Sequence, residues 1–428
     1  MGWLALAGAL FLVAVAGYGV LVSTSPSYWQ QTDLTVFRGG GLAVRSHPTQ
    51  LYTLPLGVAR QPFIYSPFAG LLFAVASPFS FLIWKVALTA ATIAVLPVTA
   101  YAALGLAGRP AGLPRLAGAL AIGAAGLCLE PVLITLYFGQ VNVLLLALVV
   151  CDLALPDRFR GKGIGVGLAA AIKLTPLIFI PYLLFTRRIR AAVVSVLTVG
   201  ATVVIGFALL PHASASFWSG HFKAFGHARM LNQSLDGAAL RLTHGAPPGP
   251  TYWVAEIVVG IAGLAIAVAA SRRGYDLLGA VVCGATSLLV SPTSWSHHWV
   301  YVLPALALAA YGPPRRSLRI AGVAVVMVLF AAWPVPLGGD GGIDLRNGWL
   351  PRGLLRLAPH YGTAGPGKPE LDWHGVWVIF GNYYVIAALA FIAAVACSLA
   401  VHRRGVQGAS EAPLPVGSAD HLAPAQRN

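Results

Sequence analysis

Ten apolar stretches separated by short polar loops constrain this chain more than any other feature. They cover residues 3–23, 80–106, 116–136, 140–155, 191–211, 251–270, 276–292, 299–311, 318–335 and 375–400. A bilayer-crossing helix takes about 20 predominantly apolar residues. In hydrocarbon every backbone N–H and C=O must find its partner within the protein, which leaves helices as the means of crossing for segments of this kind. With 57% hydrophobic and 10% charged residues, the composition excludes a soluble globular domain. The chain reads as an all-α polytopic membrane protein, one domain over residues 1–404. A Pro-, Ala- and Ser-rich tail at 405–428 has the composition of a disordered segment. The first apolar stretch lacks a basic n-region and an A-x-A site, so it reads as a retained helix.

The net charge of +15 reflects where Lys and Arg lie. They concentrate in RPAGLPR (109–115), PDRFRGK (156–162), TRRIR (186–190), SRRGYD (271–276), PPRRSLR (313–319) and HRR (402–404). Short basic loops mark the cytoplasmic side of a plasma-membrane protein. Both termini are then cytoplasmic, and the longer loops 24–79, 212–250 and 336–374 face outside. No basic face with interleaved aromatics points to nucleic acid. The four cysteines, Cys128, Cys151, Cys283 and Cys397, lie in apolar stretches without metal or disulfide spacing.

Residues 163–185 lie between two basic loops that belong on the same side. At 1.5 Å per residue they cannot cross a core of about 30 Å twice. The sequence therefore predicts a short re-entrant pair that turns near residues 173–176, where Pro176 breaks the helix. This brings the count to about 12 segments. It also places Lys173 deep in the protein, where a cation is costly. Lys173 reads as a cavity-lining cation that meets a phosphate, in preference to an ion pair with Glu130. Residues 66–79, bracketed by Pro67 and Pro78, read as a helix lying in the outer interface.

Candidate chemistry gathers in the outer loops. Asp33, one of 13 acidic residues, follows the first span in QTDLTVFRGG and is a candidate general base; the bland alternative is a solvated loop acid. Arg38 in the same loop runs against the cytoplasmic bias of the other cations and suggests an anionic ligand. Tyr65 belongs with Phe37, Tyr52 and Phe63 to an aromatic group that an interfacial belt would also explain. Glu130 is a carboxylate in an apolar region. Gln140 and Asn142 in LYFGQVN could bond sugar hydroxyls or simply cap a helix turn. Asn232 and Gln233 in LNQSLDG could do the same, with Asn232 or Ser234 as the cap of a following helix. SPTSWSHHWV places Trp295 beside His297 and His298. Adjacent histidines point apart on a helix, so one of them could meet a phosphate, and a two-ligand metal site is not expected.

In this order the motifs DLTVF, FIYSPFAGLLF, EP…YFGQVN, GLAAAIKLTP, NQS and SPTSWSHHW resemble those of glycosyltransferase family 87, within the GT-C superfamily. The likeness is to actinobacterial alpha-1,2-mannosyltransferases that elaborate phosphatidylinositol mannosides, with arabinofuranosyltransferases of the same architecture as the near alternative. The resemblance implies a polyprenyl-phosphate sugar donor, a glycolipid acceptor and Asp33 as catalytic base. It implies no metal and no cofactor, because the lipid-linked donor is itself a substrate. Ser66 stands where the family usually has Pro, which is expected to loosen the turn before Pro67. A flippase for lipid-linked sugars would explain Lys173 equally well, but not the outer-loop Asp33.

Overall fold

The computed structural model describes residues 2–24, 29–220, 231–246, 249–312, 315–332, 353–358 and 369–410. Helix α1 (Gly2–Thr24) is followed by α2 (Thr32–Ser46), α3 (Pro67–Ala76) and α4 (Phe81–Leu106). Then come α5 (Leu113–Gly126), α6 (Glu130–Phe138) and α7 (Asn142–Ala154). The middle of the chain holds α8 (Ile164–Ile172), α9 (Phe179–Phe185), α10 (Ile189–Leu209), α11 (Pro211–Trp218) and α12 (Leu235–Leu242). The last third holds α13 (Pro250–Arg272), α14 (Asp276–Leu289), α15 (Val302–Tyr311), α16 (Arg316–Phe330), α17 (Val376–Gly381) and α18 (Tyr383–Ser410). Five of these, α1, α4, α10, α13 and the 383–401 part of α18, are long and apolar enough to cross a membrane by length and composition. The described residues carry no β-strand, and the fold is an all-α membrane bundle.

Several apolar stretches are not single helices. The stretch 116–136 splits into α5 and α6, because Pro131 has no N–H to continue the helix and sits instead in the first turn of α6. The freed backbone is paired elsewhere: the amide of Ala332 donates to Cys128 O at 2.8 Å. The final helix continues to Ser410, past the boundary expected at 404, and residues 411–428 lie outside those described.

The segment 163–185 is built as expected. Helix α8 stops at Lys173, whose backbone is extended (φ −141°, ψ 128°), and a 3-10 turn over Thr175–Ile178 leads into α9. Pro176 forces the break, since its ring would collide with the carbonyl of Ile172 in a continuing helix. The two ends lie together: Asp157 bonds Lys162 at 2.7 Å and reaches Arg188 at 3.5 Å. Residues before and after the pair therefore share one end of the bundle, and Lys173 is at the apex.

That end collects the other basic loops too. Arg109 donates to Tyr311 O, Arg272 to Phe185 O and Arg273 to Leu399 O. At the opposite end, α2, α3 and α11 enclose a second core of Leu34, Phe37, Phe63, Tyr65 and Phe217. Phe37 stacks on Phe73 at 5.0 Å and meets the edge of Tyr65 at 4.9 Å. These aromatics are therefore not an interfacial belt. Burying each contributes about 1.5–3 kcal/mol, and together they fix the first long loop as a folded cap over the bundle.

Ser66 corrects another expectation. Its hydroxyl accepts the Ala69 amide at 3.1 Å as the N-cap of α3 and donates to Ala171 O near the apex of the re-entrant pair. A serine at this position tightens the turn where a loosening was expected, because it satisfies a free helix-end amide.

Candidate active site

The site is built where the start of α2 docks on the turn between α6 and α7. Gly139 makes that approach possible. Its φ is +70°, and a Cβ there would stand 2.8 Å from the Cβ atoms of both Gln31 and Leu34. Gln31 is fully enclosed and donates to Thr89 Oγ1 at 2.9 Å, which pins the beginning of α2 to α4. Asp33 follows in the first helical turn, where a carboxylate is favoured by the free amides.

The half-buried Asp33 faces Gln140. Gln140 Nε2 donates to Asp33 Oδ2 at 2.7 Å, and its Oε1 accepts the Tyr65 hydroxyl at 2.8 Å. Burial pushes the Asp33 carboxyl above the usual range; the bond from Gln140 and the nearby charge of Lys173 oppose that shift without cancelling it. Desolvation favours the neutral acid, and this is how a carboxylate is tuned toward proton abstraction near neutrality.

Two residues along the same turn, Asn142 carries the chain of contacts to the phosphate candidates. Lys173 Nζ donates to Asn142 Oδ1 at 3.0 Å and lies 2.7 Å from His298 Nε2. With Lys173 protonated, Nε2 of His298 accepts, so a neutral His298 carries its proton on Nδ1. Lys173 also stands 5.9 Å from the centre of the Tyr65 ring. The two histidine rings meet edge to face, with centroids 4.8 Å apart at 89°. The His297 ring packs on Phe138, while its carbonyl accepts from Thr135 Oγ1 at 3.1 Å and Asn142 Nδ2 at 3.0 Å. Of the adjacent pair, His298 joins the site and His297 holds the segment in place. Asp33, Tyr65, Gln140, Asn142, Lys173 and His298 thus form one connected group.

Other sequence candidates lie elsewhere. Arg38 is on another face of α2 and donates to Phe79 O at 3.3 Å. Glu130 is fully buried and accepts the Tyr384 hydroxyl, while Lys173 bonds Asn142 and His298. Asn232 and Gln233 are fully buried, and Ser234 is the N-cap of α12, bonding Gly237 N at 3.0 Å. Trp295 pairs through its backbone with Asn232. Sequence reasoning passed over Gln31 and Thr135. Their only signal was a polar side chain next to a motif, which is too common to single out.

The model of glycosyltransferase family 87 matches residues 63–292. The chain belongs to glycosyltransferase family 87. It is a glycosyltransferase, and the resemblance read from its motifs holds. The family 87 match includes Tyr65, Gln140, Asn142 and Lys173; Asp33 and His298 flank it on either side. The chain is 34% identical over 308 residues to a polyprenol-phosphate-mannose-dependent alpha-(1-2)-phosphatidylinositol mannoside mannosyltransferase of Mycobacterium tuberculosis, covering 67% of this chain and 71% of the relative. It is 30% identical over 392 residues to a polyprenol-phosphate-mannose-dependent alpha-(1-2)-phosphatidylinositol pentamannoside mannosyltransferase of Mycolicibacterium smegmatis, covering 86% of this chain and 85% of the relative. No solved structure matches it.

Proposed function

We propose that this family 87 enzyme transfers mannose from a polyprenyl-phosphate donor to a hydroxyl of a phosphatidylinositol-mannoside-type glycolipid, on the extracytoplasmic face of the plasma membrane. The observation that carries the reading is the meeting of two bonded groups: Asp33–Gln140–Tyr65 and Asn142–Lys173–His298 share the turn at 140–142, with Lys173 5.9 Å from the centre of the Tyr65 ring. One group offers a base, and the other offers a cation with a ring nitrogen. The gathering of basic loops at the opposite end supports the orientation.

Asp33 takes the proton of the acceptor hydroxyl as that oxygen bonds the anomeric carbon. The bond from that carbon to the phosphate oxygen breaks, and polyprenyl phosphate leaves with both electrons. Lys173 offsets the charge that develops on the phosphate, and His298 orients Lys173 and meets the same group. Direct displacement inverts the anomeric configuration. The reaction takes no cofactor, since the activated sugar arrives on its lipid carrier. Glu130, Asn232 and Gln233 bond within the protein, to Tyr384, Ser294 and Gly381, and support the surrounding segments.

The test supplies labelled polyprenyl-phosphate mannose and a phosphatidylinositol mannoside to the purified protein in lipid vesicles. The expected result is mannosylated glycolipid with one polyprenyl phosphate released per sugar. Movement of donor across the vesicle without glycoside formation would favour a flippase. Turnover only with a polyprenyl-phosphate arabinose donor would favour an arabinofuranosyltransferase.

A further inference from the structure

Asn232 lies in none of the proposed substrate contacts, yet it is fully buried and its side-chain amide bonds Pro292 and Ser294, in the segment that carries His298. Its Oδ1 accepts the amide of Ser294 at 2.8 Å, and its Nδ2 donates to Pro292 O at 3.2 Å. The backbone on either side continues the pairing. Gln233 N donates to Ser294 O at 2.7 Å, and Ser296 N donates to Leu231 O at 2.8 Å. Residues 292, 294 and 296 are thus held in turn by residues 231–233, like two short antiparallel strands. Immediately beyond, His298 N donates to Trp295 O at 2.7 Å, closing the 3-10 turn that aims its ring at Lys173.

This clamp has its own foundation. The buried Arg241 donates through Nη1 to Asn232 O at 2.9 Å and through Nε and Nη2 to Asn382 Oδ1 at 3.0 and 2.6 Å. Gln233 Nε2 donates to Gly381 O at 2.7 Å. Both anchors lie at the junction of α17 and α18, so the loop before α12 is fixed to the bundle before it fixes the histidine segment. On the far side, Thr135 and Asn142 hold the carbonyl of His297. The turn is gripped from two directions, and from the α12 side Asn232 grips it with both donor and acceptor.

We infer that Asn232 is a positioning residue for His298: it sets the placement of the His298 ring against Lys173 and acts on turnover only through that ring. The inference rests on the proposed role of His298 at the leaving phosphate. An asparagine suits the task because one planar amide accepts from an N–H and donates to a C=O two residues apart on a paired strand. A displacement of about 1 Å at a catalytic group costs on the order of 10²-fold in rate, so a loosened clamp is expected to be felt at the chemical step.

A double-mutant cycle between Asn232 and His298 tests this, with turnover measured on the full-length protein in vesicles. Asn232→Ala is expected to lower kcat roughly 10- to 100-fold while the acceptor KM stays within about twofold. In a His298→Ala background the same substitution is expected to cost less than about threefold, because the ring it positions is gone. Asn232→Ser keeps a small neutral polar side chain at the buried position and loses the paired amide bonds to Ser294 N and Pro292 O, without burying a charge. It provides a folded variant if the alanine protein is unstable, and its kcat loss is also expected to vanish in the His298→Ala background. Equal losses in both backgrounds, accompanied by a lower Tm, would overturn the proposal in favour of a general structural role. A raised acceptor KM with unchanged kcat would overturn it in favour of sugar contact. Wild-type turnover by His298→Ala alone would remove the role of His298 itself, and the positioning role with it. That failure is read in the single variant, apart from the cycle.

Discussion

Gln140 Nε2 lies 2.7 Å from Asp33 Oδ2 because Tyr65 fixes which way the amide points. The Tyr65 hydroxyl donates to Oε1, so the NH₂ group is turned toward the carboxylate. Gln140→Glu places a second carboxyl group beside the base, which raises the apparent pKa of the pair. The expected outcome is a drop in kcat/KM on the order of 10²-fold at neutral pH, with partial recovery in alkali. Tyr65→Phe releases the amide and is expected to cost only about 5- to 10-fold, the equivalent of one neutral hydrogen bond. Steady-state rates of the two variants across pH check both.

Lys173 offers the cation for the departing phosphate, held by Asn142 and His298. Lys173→Met keeps the length and apolar stem and removes the charge. We expect kcat to fall about 10²- to 10³-fold, the usual scale for removing one transition-state donor. The thermal unfolding midpoint should not fall, since a buried cation no longer has to be solvated by the protein. Single-turnover release of polyprenyl phosphate measures the first, and thermal unfolding in detergent the second.

Gly139 combines a positive φ with contact to Gln31 and Leu34. Gly139→Ala is expected to destabilise the protein by about 1–3 kcal/mol, through backbone strain and overpacking together. Because it pushes on the first turn of α2, it should also reduce turnover more than an equally destabilising substitution far from the site. Comparing Tm and rate for the two variants separates the effects.

The sequence carried the membrane class, the break in segment 163–185 and the residues that the candidate site brings together, and the reasons are physical. Lys173 and Pro176 stand out because a cation and a helix breaker in an apolar stretch both demand an explanation. Helix α2 was not legible. Gly39, Gly40 and Gly41 argue against a helix by propensity, yet a Cβ on Gly41 would stand 2.4 Å from Phe73 O, so close packing on α3 outweighs their cost. Arg38 suggested an anionic ligand beside Asp33 because the two share a loop, but five residues along a helix separate them onto different faces. The NQS motif read as a sugar contact because polar side chains in an outer loop suggest ligands; only the pairing with residues 292–296 shows it facing inward.

The pH dependence follows from the raised pKa of Asp33, whose main cause is burial. A base works only when deprotonated, so kcat/KM should fall as pH drops through a value above the ordinary aspartate range of about 3.9. The stability term has the opposite sign. A carboxyl whose folded pKa lies above its unfolded value stabilises the fold fully at low pH, and that contribution is lost as pH rises through the folded pKa. Asp33→Asn removes the cost of burying the charge, so its Tm at neutral pH should equal or exceed that of the wild type. Thermal scans at acid and neutral pH check this: the gap between variant and wild type should widen toward neutrality.

Turnover of Asp33→Asn with polyprenyl-phosphate mannose and a phosphatidylinositol mannoside tests the central claim most directly. The amide keeps an oxygen for Gln140 and loses the ability to take a proton. With Tm unchanged or raised, the rate of glycolipid formation should fall at least about 10³-fold, within the range attributed to general-base catalysis. A variant that mannosylates the acceptor within a few-fold of the wild-type rate would contradict the assignment of Asp33 as the base.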